Sequence, residues 1–135
     1  MKIIVGGKYN GKLRYVTDQL KIPVSDICDM ASDDILTTID KMGEYPVLYH
    51  LEAFIMASVL NGIDHNSILD KYIAKHPDCI LICDETGSGV IPTEPAQNRW
   101  REETGDTLCR LAEKAGGITR IIYGTAEELK YGNRP

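Results

Sequence analysis

Residues 79–92 read CILICDETGSGVIP, and the reading of this stretch decides the fold. Ile80, Leu81, Ile82 and Cys83 form an uncharged apolar run that passes directly into Asp84 and Glu85, then into a segment holding Gly87, Gly89 and Pro92. A run without polar alternation fits a strand covered on both faces, as in a parallel sheet. The carboxyl ends of such strands are where open α/β sheets bind ligands, so the two acids are expected at a ligand-facing edge. There Asp84 suits a magnesium ion held directly or through water, and Glu85 suits the orientation of a nucleophile in phosphoryl transfer. An apolar strand that ends in an acid for purely structural reasons would show the same run.

The matching feature lies at the N-terminal end of the sequence. Lys2 to Val5 form a short apolar strand, and residues 6–13 read GGKYNGKL. Gly6, Gly7, Lys8, Tyr9, Asn10, Gly11 and Lys12 fill the first seven places of a phosphate-binding loop. In such a loop the glycines permit tight turns, backbone amides face phosphate oxygens and the lysine reaches the terminal phosphates. A helix starting near Lys12 would add its positive amino end. These residues and Leu13 are therefore the expected nucleotide contacts, with Lys12 and Glu85 as the expected catalytic groups and Asp84 as the expected metal ligand. Leu13 stands at the eighth place, where a serine or threonine hydroxyl normally meets magnesium. The competing reading is a glycine-rich strand-to-helix turn carrying one exposed lysine.

Strands and helices alternate along the rest of the chain. Leu13, Val16 and Leu20 mark a helix face ending before Pro23, while residues 22–30 are broken by Pro23, Ser25 and Asp26 and fit at most a short edge strand. Asp33 and Asp34 open a helix with Ile35, Leu36, Ile39 and Met42 on its apolar face, closed by Gly43. PVLYHL at 46–51 reads as an interior strand, EAFIMASVL at 52–60 as a helix, and residues 67–75 as another. The longest helix is expected from Gln97 to Ala115, with Trp100, Leu108, Leu111 and Ala112 inward. Thr119 to Tyr123 is the last β-rich segment, and the polar tail from Gly124 suits a short helical turn. This order predicts a single α/β domain over 1–135, with a mainly parallel sheet and helices on both faces.

Composition narrows the function classes. At 135 residues with 43% hydrophobic content, one ordinary core is expected. A net charge of −5 with no basic run argues against a nucleic-acid surface. No charged start precedes a long apolar stretch, so neither a signal peptide nor a membrane span is expected and the cytoplasm is the expected location. Cys28, Cys79, Cys83 and Cys109 form no paired knuckles; Cys79 and Cys83, four apart, would share one strand face as small hydrophobes.

With both loops placed, the chain resembles the adenosylcobinamide kinase and adenosylcobinamide-phosphate guanylyltransferase family of cobalamin biosynthesis. DETGSGVIP is similar to the family's acid-Glu-Val-Gly-x-Gly-Ile-Val-Pro loop, WREETGDTLCRLAEKA follows where the family has its aromatic-Arg-Asp-x-x-Gly helix, and GGKYNGK resembles its Gly-Gly-x-x-Ser-Gly-Lys-Ser loop. Glu85, Gly87, Gly89, Pro92, Arg101 and Gly105 occupy matching places. The resemblance implies a P-loop, RecA-like architecture, GTP or ATP with Mg2+ as cofactor, cobinamide phosphorylation as the activity, a corrinoid as a further partner and a homo-oligomer, specifically a trimer. Departures accompany it: the family's segment with the guanylylated histidine is missing, no histidine precedes His50, and Leu108 and Cys109 replace an Asn-Gln pair. His50 stands where the family has an acid, a role that Glu52 takes only if the alignment shifts by two. Loss of the nucleophile removes the family's route to guanylyl transfer. The alternative implied by these losses is a noncatalytic relative that binds nucleotide, corrinoid or a protein partner.

Overall fold

The computed structural model of the chain describes residues 1–85 and 95–131, the side chains of 95–97 and 131 excepted. Gly87, Gly89 and Pro92 lie outside the described residues. The chain runs β1 (Lys2–Gly6), α1 (Lys12–Arg14), β2 (Ile27–Asp29), α2 (Ile35–Met42), β3 (Val47–Tyr49), α3 (Leu51–Leu60), α4 (His65–Lys75), β4 (Ile80–Asp84), α5 (Pro95–Lys114), β5 (Gly117–Ile122) and β6 (Thr125–Tyr131). These strands form one six-stranded sheet in the order β2-β3-β4-β1-β5-β6. Every pairing from β2 to β5 is parallel, and β6 alone is antiparallel, against β5. The apolar run of β4 is central, as its lack of alternation predicts: Ile3 pairs with Leu81 and Gly6 with Asp84 on one side, and Leu48 pairs with Leu81 on the other.

Alternate residues of each strand feed opposite faces of the sheet. Ile3, Leu48, Leu81, Cys79 and Cys83 join Met42, Leu51, Phe54, Ile55, Leu69, Tyr72 and Leu111 in the larger core, beneath α2 to α5. Ile4, Val47, Ile82 and Ile121 meet Tyr15 and Val16 in a smaller cluster on the other face. Burial pushes the Cys79 thiol up to about 11 and that of Cys83 higher still, so both pack as inert hydrophobes. Among the described residues all four cysteines are free, and Cys109 is exposed.

Several local expectations change. The segment after Lys12 is α-helical only to Arg14 and continues as a π-helical turn over Tyr15–Gln19, which brings Tyr15 and Val16 onto the sheet. Residues 22–30 resolve into a 3-10 turn, Val24–Asp26, followed by edge strand β2. Leu36 is largely exposed, and Thr38 takes its place on the buried side of α2. Helix α4 begins at His65 under an Asp64 cap, before the expected Ser67. On α5, Leu111 is buried and Trp100 and Leu108 pack partly against the core. The polar tail is a strand: β6 pairs with β5, with an irregularity between Ile118 and Thr119. The segment lacks the usual alternation because its half-buried positions, Glu128 and Lys130, are charged while Leu129 is exposed. Among the described residues no helix is long and apolar enough to cross a membrane.

Candidate functional site

The carboxyl ends of β1, β3 and β4 open onto a cavity of about 650 Å³ lined by residues 8–14, Tyr49, His50, Asp84, Tyr123 and Gly124. Its floor follows from the register of the sheet: the pairing of Gly6 with Asp84 brings the end of the N-terminal strand beside the acid of the apolar run. The Glu85 amide then donates to Gly6 O at 2.8 Å. Gly6 has a steric reason to be glycine, since a Cβ there would stand 2.6 Å from Ile121 O. Gly11 has φ +91°, in the left-handed region that glycine enters without cost. Tyr9 also has a positive φ, 63°.

Lys12 is only 4% exposed. Its Nζ lies 2.6 Å from Asp84 Oδ1 and donates to Gly7 O at 2.8 Å. The lysine is therefore turned back into its own loop and anchored on the acid of β4. Both ends of the two sequence motifs thus meet in a single ion pair, at the cavity floor. Asn10 ties the loop to the turn between β5 and β6: its Oδ1 accepts from the Tyr123 amide at 3.1 Å and its carbonyl accepts from the Gly124 amide at 2.8 Å. Lys8 and Tyr9 are exposed at the rim, while Leu13 is half-buried in the wall.

Glu85 takes a different course from Asp84. Arg120 on β5 holds it, with Nε 2.7 Å from Oε1 and an Nη2 hydrogen bond of 3.1 Å to Oε2. A carboxylate engaged at both oxygens by a guanidinium is an anchor between β4 and β5. Two residues from the other side of β4, His50 and Glu52, approach Asp84. His50 follows β3 with a φ of 64° and stands at the start of α3. Its Nδ1 is 2.8 Å from Asp29 Oδ1, at the end of β2, and its ring stacks on Tyr49 at 3.7 Å. Glu52, in the first turn of α3, is 7% exposed and accepts the Asp84 amide at 2.7 Å. Burial pushes the Glu52 carboxyl up, the hydrogen bond from the Asp84 amide opposes this, and the Asp84 charge adds to the rise.

Sequence reasoning located Lys12 and Asp84, and weighed His50 and Glu52 as alternatives for one acid. The structure brings both to the site. Asp29, Tyr123, Gly124 and Arg120 were missed. Asp29 ends the stretch that Pro23 and Ser25 had made ambiguous. The Tyr123–Gly124 pair, a turn signal between β-rich segments, was the available sign of a hairpin that returns to the loop. Comparison of the chain with protein-family models and with curated proteins finds no match.

Proposed function

We propose that this is a nucleotide-binding protein of the cobinamide kinase and cobinamide-phosphate guanylyltransferase type, a cytoplasmic homo-oligomer of P-loop, RecA-like architecture. Its reaction is transfer of the terminal phosphoryl group of GTP or ATP to a corrinoid hydroxyl. The observation that carries this reading is the Lys12–Asp84 pair, 2.6 Å apart at the floor of a cavity edged by residues 8–14. The order of strands, with β1 between β4 and β5, is compatible with the same architecture. In the reaction, the acceptor oxygen bonds to the γ-phosphorus as the β–γ bridging bond breaks, the hydroxyl proton passes to solvent, and the nucleoside diphosphate leaves with the negative charge. Such transfer depends mainly on positioning and charge neutralisation. Lys12 is the group that would turn from Asp84 to the phosphates. Asp84, released by that turn, is the carboxylate that fits magnesium carried on the triphosphate, where the ion would spread negative charge. Tyr9 and Tyr123, 100% and 89% exposed at the cavity rim, offer aromatic faces for a purine.

A second reading, a noncatalytic relative, is favoured by the same pair. The only cation of the loop that points inward already has a carboxylate and a carbonyl as partners, and Leu13 supplies no hydroxyl for a metal. Calorimetric titration of the chain with GTP and ATP, with and without magnesium, separates the two. The expected result is saturable, magnesium-dependent binding that drops at least tenfold in Tyr123→Ala for nucleotide while inorganic triphosphate binding is unchanged. Binding without turnover in a phosphorylation assay would select the noncatalytic reading, and no binding by any triphosphate would remove the loop from both.

A further inference from the structure

His50, Glu52 and Asp84 offer one nitrogen and two carboxylates whose ligand atoms lie within 4.8 Å of one another. We infer that these three side chains form a binding site for a divalent first-row transition ion, of the manganese-to-zinc class, in the cavity floor. Two segments supply the set: the start of α3, with His50 at its cap and Glu52 in its first turn, and the end of β4. The inference concerns the ion alone and stands whether or not the cavity takes a nucleotide.

Four observations carry it. Charge is the first: Glu52 and Asp84 are both buried, Lys12 pairs with Asp84 alone, and Glu52 is held by the backbone amides of Asp84 and Ala53. A divalent cation would be a charge partner for both carboxylates, and buried charges are normally paired or bound to metal. The second is how His50 is held. Asp29 engages Nδ1 at 2.8 Å, which leaves Nε2 as the ring nitrogen open to an ion. A carboxylate behind a histidine is the arrangement by which metal-binding imidazoles are oriented and made more basic. The third is the donor chemistry. Imidazole nitrogen favours first-row transition ions over magnesium, whereas carboxylates accept either. The fourth is access: His50 and Asp84 line the 650 Å³ cavity, so an ion there keeps open positions for water or a phosphate oxygen, as three-ligand sites do.

The spacing requires a modest closure. A tetrahedral ion with bonds of about 2.1 Å has ligand edges of roughly 3.4 Å, so from a spread of up to 4.8 Å the longest edge closes by roughly 1.4 Å at most. Carboxylate rotation and a swing of Lys12 away from Asp84 supply it. The ammonium is the site's internal competitor, and removal of its charge should tighten metal binding. Nucleotide binding by the same loop would lose affinity on that substitution, so the two readings predict opposite signs for Lys12.

The test uses the tag-free full chain, stripped with chelator and titrated with Co2+ alone, followed by visible d–d absorption, with Zn2+, Mn2+ and Mg2+ as competitors. One Co2+ per chain is expected, displaced by Zn2+, by Mn2+ only in excess and not by equimolar Mg2+. Asp29→Asn, which keeps a side chain of the same shape behind His50, should weaken Co2+ by ten- to a hundredfold. His50→Asn, tolerated at a positive φ, should weaken it further and change the absorption envelope, and Lys12→Met should strengthen it about tenfold. Circular dichroism of each variant checks that it is folded. Absence of saturable Co2+ binding in the wild type would overturn the site, as would wild-type affinity in a folded His50→Asn. Both outcomes leave the triphosphate titration untouched, so failure of the ion site and failure of the nucleotide reading are separately visible.

Discussion

Lys12 is the residue on which binding and stability meet. An exposed loop lysine would contribute little to folding, but this one is buried and holds a buried acid. Removing it leaves Asp84 charged and without a counter-ion, and breaking a buried pair from one side costs about 3–5 kcal/mol. We expect Lys12→Met to lower unfolding free energy by about 3 kcal/mol in urea denaturation. Lys12→Met combined with Asp84→Asn should recover most of that loss, because the uncompensated charge is then gone. A single variant as stable as wild type would mean that the pair is relaxed in solution. The same logic separates Glu85 from Asp84: adjacent in sequence, they point to different partners, one to Arg120 on β5 and the other to Lys12. Asp84 ends β4 and Glu85 lies just beyond it, and side chains adjacent along an extended chain leave opposite faces.

At the level of elements, the contact between α4 and α5 carries a titratable group. His65, the first residue of α4, is 4% exposed, and its Nε2 lies 2.9 Å from Thr107 Oγ1 on α5. Burial holds its pKa below the ordinary 6.5, while Glu103 and Asp64 oppose the shift and Arg110 assists it. The native state therefore binds fewer protons than the unfolded chain. Stability is fully present above the unfolded value near 6.5 and is lost as pH falls below it toward the native pKa, by at most about 1.4 kcal/mol per pH unit. Denaturation at pH 7.5 and 5.5 should show this loss in the wild type and a smaller one in His65→Gln, which keeps a hydrogen-bonding amide without titrating in that range. Equal losses would place the pH sensitivity elsewhere. The sequence pattern sets the start of this helix at residue 67; the Asp64 cap, accepting the Ser67 amide at 3.3 Å, starts it two residues earlier, at His65.

Over the whole molecule, the two faces of the sheet are unequally covered. Helices α2 to α5 build the larger core, and the other face has Tyr15 and Val16 with partly buried Leu20 and Ile22. The β6 strand closes the far edge of the sheet and does more than pair with β5. Lys130 Nζ donates to the carbonyls of Ala112 and Glu113 at 2.9 and 3.3 Å, satisfying the end of α5. Deletion of residues 125–135 should therefore uncap α5 and bare the edge of β5, a row of open amides and carbonyls that invites association. The expected readout is a lower melting temperature with aggregate by light scattering. A truncated chain that stays monodisperse and melts where the full chain does would show that β6 is dispensable.

The sequence by itself determined the alternation of elements, the interior place of β4 and the outlines of the loop around Gly6 to Lys12, because each is a local signal: an unbroken apolar run, helical spacing, glycine and lysine at fixed offsets. Cys79 and Cys83 were legible as core for the same reason. Which acid meets Lys12 was a matter of strand order and register, which set Gly6 opposite Asp84 and which no local window contains. The assembly of Asp29, His50, Glu52 and Asp84 required three strand ends to lie side by side in the order β2-β3-β4. The tail from Gly124 became a strand for a tertiary reason too. The unpaired edge of β5 offered it a ladder of hydrogen bonds broken by a single irregularity, and that gain outweighs the weak local preference of a charged segment.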